Sequence, residues 1–120
     1  MGYRPALVWL VRDRWGREIV LDEDTWHHHI VPGHRNLRGH EAAVAKVLTD
    51  PYRVMHDAWH ENRENVYRPR THPDYPDLFL KVCVEFEAVE TGYSGTVVTA
   101  FLTPDIGSDE VQRWPRRSRT

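Results

Sequence analysis

Residues 78–88 read LFLKVCVEFEA, and apolar and polar side chains alternate along them. Successive side chains of a strand point to opposite faces. Leu78, Leu80, Val82, Val84 and Phe86 therefore define one face, and Phe79, Lys81, Cys83, Glu85 and Glu87 the other. A turn-forming VETGYSG comes next, and TVVTAFLT then runs over residues 96–103. Strict alternation there puts Val98, Ala100 and Leu102 on one face and Val97, Thr99, Phe101 and Thr103 on the other. Two strands joined by so short a turn pair antiparallel. One side of the pair must be covered by something apolar. The side carrying Lys81, Glu85 and Thr99 stays partly open and offers a polar sheet face to a ligand.

The rest of the chain supplies the cover. ALVWLVRD-RWG-REIVLD reads as a β-hairpin around a glycine-bearing turn. DEDTW then starts a helix, which Asp22 or Asp24 can cap and Pro32-Gly33 stops. A second helix begins near Gly39, places Val44, Val47 and Leu48 on one face, and ends before Asp50-Pro51. YRVMHDAW and ENVYRPR read as two further strands, and THPDYPD as a proline-rich loop. The order is hairpin, two short helices, then a mainly antiparallel four-strand meander, which is α+β. The domain is expected to span residues 1–103. Residues 104–120 are expected to form a basic, poorly ordered tail, because the apolar signal fades after Pro104.

The totals exclude several classes. The chain of 120 residues suffices for one core but not two. No apolar run approaches the roughly 20 residues of a membrane span. A lone cysteine, Cys83, rules out an internal disulfide and fits a reducing compartment, so the expected site of action is cytoplasmic. A net charge of −2 argues against a broad polyanion-binding surface. Arginines nevertheless gather at positions 4–17, at Arg63, Arg68 and Arg70, and in the closing RWPRRSRT. A local basic cleft is compatible with that distribution.

Five of the eight histidines fall in TWHHHIVPGHRNLRGH, residues 25–40. On a helical wheel Trp26 and Ile30 form the buried stripe, and His28 falls opposite them. His27 and His29 flank the stripe equally, so the wheel does not choose between them. Consecutive histidines on a helix point about 100° apart and cannot chelate one ion. No zinc-protease motif or thiolate cluster is present either, so no metal or cofactor is expected. One or two imidazoles near a reacting group would suffice for proton transfer at neutral pH. The plain alternative is that the histidines pair with carboxylates or backbone carbonyls.

RWGREIVLDEDTWHHHIVPGH, GHEAAVAKVLTDPYRV, VYRPR, LFLKVCVEF and GTVVTAFLT, in that order, resemble phage- and toxin-associated domains of the barnase–EndoU–colicin–RelE superfamily. BrnT-like toxins are similar more distantly. The resemblance covers about Arg14 to Thr103. It implies a compact α+β fold and metal-independent ribonuclease activity. It also singles out His29 as the histidine of the HI motif, and His34 as a second histidine. His34 is followed here by Arg35 where the family often has proline. Tyr67 and Arg68 match a polar pair on a central strand, and Thr99 the threonine of the last strand.

Metal-free RNA cleavage uses the 2′-hydroxyl as nucleophile. It needs a base, an acid for the leaving oxygen and a cation for the gathering negative charge. His29 and His34 are the expected acid and base, Arg68 the charge stabiliser, and Thr99 a phosphate or histidine ligand. Tyr67, Lys81 and Arg70 are expected to bind the substrate. The implied partners are RNA and a cognate antitoxin or immunity protein, with no membrane. Two other functions compete: a non-catalytic RNA- or protein-binding module on the same fold, and a histidine-metal enzyme.

Overall fold

Alternation and turn chemistry build a single mixed sheet. The computed structural model describes residues 6–115. β1 (Leu7–Arg12) and β2 (Glu18–Asp22) form the expected antiparallel hairpin. Its turn is built by Asp13, whose carboxylate accepts the backbone N–H groups of Trp15 and Arg17 at 2.9 Å. Gly16 takes the left-handed conformation the turn requires, at φ +77°. β3 (Arg53–His56), β4 (Arg63–Pro69), β5 (Phe79–Val89) and β6 (Gly92–Thr103) follow one another as antiparallel neighbours.

These four strands are not a separate meander. β2 pairs in parallel with β6, and a seventh strand, β7 (Val111–Trp114), pairs with β3. The sheet order is β1-β2-β6-β5-β4-β3-β7. The chain from Pro104 to Pro115, expected as tail, therefore continues the fold. Its strand was missed because VQRW is short and only half buried. The tail expected over residues 116–120 lies outside the described residues.

Asp22 caps the first helical segment, its Oδ1 accepting the Thr25 N–H at 2.6 Å. The segment runs through Glu23–Thr25, a wide π-type turn over Trp26–Ile30, and Val31–Gly33, where Pro32-Gly33 ends it. Trp26 and Ile30 are buried as the wheel requires. The second helix, Glu41–Thr49, buries Val44, Val47 and Leu48. Glu41 joins the layers. Its Oε1 accepts the Trp26 indole N–H, and its carbonyl accepts that of Trp9, both at 2.9 Å.

The helices fill the concave face of the sheet, against Ile19, Leu21, Val54, Val66, Leu80, Val82, Val84, Val97 and Ala100. Val97 stands in this core where alternation placed Val98. A β-bulge opposite Cys83 and Val84 inserts one residue into β6 and reverses the phase of the strand before it. Thr99 and Phe101 keep their expected places on the convex face, opposite Cys83 and Lys81. Among the described residues, no helix is long and apolar enough to cross a membrane.

Candidate functional site on the convex sheet face

Asn65 and Tyr67 of β4, Lys81 and Cys83 of β5, and Thr99 and Phe101 of β6 share the convex face in consecutive cross-strand pairs. The segment after β6 folds over them and delivers Glu110. The Tyr67 hydroxyl donates to Glu110 Oε2, the Asn65 amide donates to Glu110 Oε1, and Lys81 Nζ stands 3.5 Å from Oε1. The Gly107 N–H donates to the Tyr67 oxygen at 3.2 Å. Asn65 also donates to Asp57 Oδ1 at 2.9 Å. The cluster is an ammonium paired with a buried carboxylate, which two neutral donors hold in place. Burial, reinforced by the hydrogen bond to Glu110, pushes the Tyr67 phenol well above its ordinary range, so it remains a proton donor.

His34 reaches this face from the helical side. β2 accompanies β6 only through Thr96, so from Val97 onward that edge of β6 has no strand beside it. The chain leaving the first helix hooks over the free edge, and the His34 ring stacks on Phe101 with centroids 5.4 Å apart. Lys81 Nζ lies 5.3 Å from the same Phe101 ring and 5.4 Å from the Tyr67 ring. Phe101 thus contacts both an imidazole and an ammonium.

Of the seven residues singled out from the sequence, His34, Tyr67, Lys81 and Thr99 meet on this face. His29, Arg68 and Arg70 do not join them. His29 points to solvent, with Nε2 3.7 Å from Asp24, because a π-type turn that buries Trp26 and Ile30 leaves all three intervening histidines outside. Arg68 follows Tyr67 in a strand and therefore points to the opposite face. Its guanidinium donates to the Asp50 carbonyl at 2.9 Å and to Asp50 Oδ2 at 3.2 Å. Arg70 is exposed beside it, and with Pro51, Tyr52 and Pro69 the two arginines line a separate shallow cleft.

Sequence reasoning missed Phe101, Glu110, Asn65 and Asp57. Phe101 was readable from its alternation with Thr99. Glu110 was not, because it follows the point where the periodic signal ends.

A second polar constellation closes the other end of the sheet. Arg17 donates to both Glu64 carboxylate oxygens, at 2.8 and 3.1 Å, and Arg113 Nη1 lies 3.4 Å from Glu64 Oε2. Burial opposes the Arg17 charge, but Glu64 and Asp13 outweigh it and raise the guanidinium pKa. This end holds a cleft of about 480 Å³ bordered by His56, Phe86 and Tyr93.

No protein-family model, curated protein or solved structure matches the chain.

Proposed function

We propose that the chain is a metal-independent endoribonuclease of toxin type that cleaves RNA at the convex face beside Phe101. The observation that carries this reading is the delivery of His34 over the free edge of β6 onto the face that already holds Lys81 and Tyr67. The order of sequence motifs shared with the barnase–EndoU–colicin–RelE superfamily supports the same reading.

In this mechanism His34 takes the proton of the 2′-hydroxyl, whose oxygen attacks the adjacent phosphorus. Lys81 neutralises the charge gathering on the phosphate oxygens. An ammonium has three N–H donors, so it can hold Glu110 and a phosphate together. Glu110 and Tyr67 fix its position. The 5′-oxygen leaves with a proton from water, and a 2′,3′-cyclic phosphate remains. Phe101 holds the His34 ring by stacking and so sets it beside Lys81. RNA is the substrate partner, the site of action is cytoplasmic, and an antitoxin or immunity protein would act by covering this face.

The expected result is RNA cleavage that survives chelator and leaves cyclic phosphate ends. His34→Ala and Lys81→Ala each lower the rate by about 10²–10⁴-fold, and His29→Ala and Arg68→Ala leave it within a few-fold. Cleavage that persists in His34→Ala removes the proposed base and overturns the mechanism.

One observation favours a second reading, a binding module without turnover. Glu110 already satisfies Lys81 and Tyr67 with a carboxylate, which discounts their pull on a phosphate. RNA bound with equal affinity by the unmutated chain and by His34→Ala, with no cyclic ends, would select it.

A further inference from the structure

The proline-rich loop before β5 and the start of the second helix bring three donor groups together, apart from the convex face. Ligand atoms of His40, His72 and Asp74 all lie within 4.8 Å of one another. His72 is 2 % exposed, a buried imidazole in a loop otherwise open to solvent. Its Nε2 lies 2.6 Å from the Asn36 carbonyl oxygen. A carbonyl accepts only, so Nε2 carries the proton and Nδ1 presents its lone pair. The Asp74 backbone N–H meets Nδ1 at a long 3.2 Å. The His40 ring lies beside that of His72, with centroids 3.9 Å apart.

We propose that His40, His72 and Asp74 form a binding site for a divalent transition-metal ion of the zinc class. Two imidazoles and a carboxylate are a common zinc donor set, and the fourth position is left to water. A ligating histidine characteristically donates its other ring N–H to a carbonyl or carboxylate, which fixes its tautomer; the Asn36 carbonyl does this for His72. Tetrahedral coordination at 2.0–2.1 Å separates donors by about 3.4 Å. The donor atoms therefore approach one another by up to about 1.4 Å on closing onto the ion. His40 and Asp74, the less buried two, make most of that movement. The ion then replaces the Asp74 N–H as the partner of the His72 lone pair, and the Asp74 carboxylate binds the ion from another side.

The ion acts as a clamp. It ties the loop at 72–74 to the residue that opens the second helix, across the turn that begins at His34. It takes no part in the proton transfer proposed above. The inference stands on its own geometry and does not require the nuclease reading.

The test is titration of the untagged full chain with cobalt(II), followed by competition with zinc(II). The chain carries His27→Ala, His28→Ala and His29→Ala, which removes the exposed triplet as a competing ligand. One equivalent is expected to bind with the intense visible absorption of a tetrahedral centre, and zinc displaces it. Adding His40→Ala or Asp74→Asn lowers the affinity by on the order of a hundredfold or more and abolishes the absorption. Asp74 is exposed, so its variant keeps the fold, which circular dichroism checks. An absorbing equivalent unchanged by either substitution, or none in the chain that retains all three donors, overturns the site. Neither readout depends on RNA cleavage.

Discussion

Cys83 sits on the convex face between Asn65 of β4 and Thr99 of β6, and burial there pushes its thiol up to about 11. At pH 8 its thiolate fraction is about a hundredfold below that of a free cysteine. A thiol-specific chromogenic reagent is expected to modify the native chain at least that much more slowly than the chain in denaturant. Equal rates would place the thiol in solvent. Asp57 shows the opposite shift. Its partial burial raises the carboxyl, but hydrogen bonds from Asn65 and from the N–H groups of Trp59 and His60 overcome this and hold it below the usual range. A carboxyl depressed in the folded state contributes stability that is complete above its unfolded pKa and is lost as pH falls through the lower folded value. The urea midpoint of the unmutated chain is therefore expected to fall as the pH is lowered below about 5. Asp57→Asn flattens part of that decline. Superimposable pH profiles for the two chains would show that Asp57 has no part in it.

β6 is where reading by alternation works and then stops. LFLKVCVEFEA has an unbroken apolar run at one parity only, and Leu80, Val82, Val84 and Phe86 are all in the concave core. TVVTAFLT carries valine at both parities, Val97 and Val98, so nothing in it marks where the bulge shifts the phase. The same limit applied to the histidines. The i, i+4 stripe of Trp26 and Ile30 was readable, but His34 reaches its site only because β2 stops pairing at Thr96, a fact of sheet length that no local pattern carries. Arg68 was misplaced for a simpler reason: it adjoins Tyr67, and two neighbours in one strand cannot serve one face. The strand start also holds a tight approach. A Cβ on Gly95 would lie 2.7 Å from Phe86 Cε1, 2.8 Å from Val84 Cγ1 and 3.1 Å from Ile19 Cγ1. Gly95→Ala is expected to destabilise by about 1–3 kcal/mol through overpacking. Urea unfolding should show a lower midpoint with an unchanged slope. A midpoint equal to that of the unmutated chain would mean that the core gives way without cost.

The sheet as a whole curls until its two edges meet. The turn of the first hairpin belongs to one edge and β7 to the other, yet the Arg14 guanidinium lies 4.0 Å from the Trp114 ring centre and that of Arg113 lies 4.1 Å from the Trp15 ring centre. Arg17 lies 3.8 Å from the ring centre of Phe86, at the mouth of the concave side. Glu64 is the common partner of this closure, with Arg17 from one edge and Arg113 from the other. The residues involved come from the beginning, middle and end of the chain, so their meeting was not legible before the sheet order was known. The Arg17 and Glu64 side chains are only 13 and 10 % exposed. Replacing one member of such a pair leaves a buried charge without its counterpart, which costs about 3–5 kcal/mol when no other partner exists. Arg17 keeps Asp13 at 2.8 Å, and the Arg113 side chain is 30 % exposed and can turn to water. The expected cost of Glu64→Ala is therefore smaller, about 2–3 kcal/mol. Glu64→Gln keeps the shape and one acceptor, so it should cost less than alanine. Loss of the seam should also free the hairpin turn and β7 before the central strands, seen as faster amide exchange at Trp15 and Arg113 than at Val82. If Glu64→Ala unfolds at the same urea midpoint as the unmutated chain, the two edges are held by their aromatic contacts alone, and the carboxylate between them is incidental.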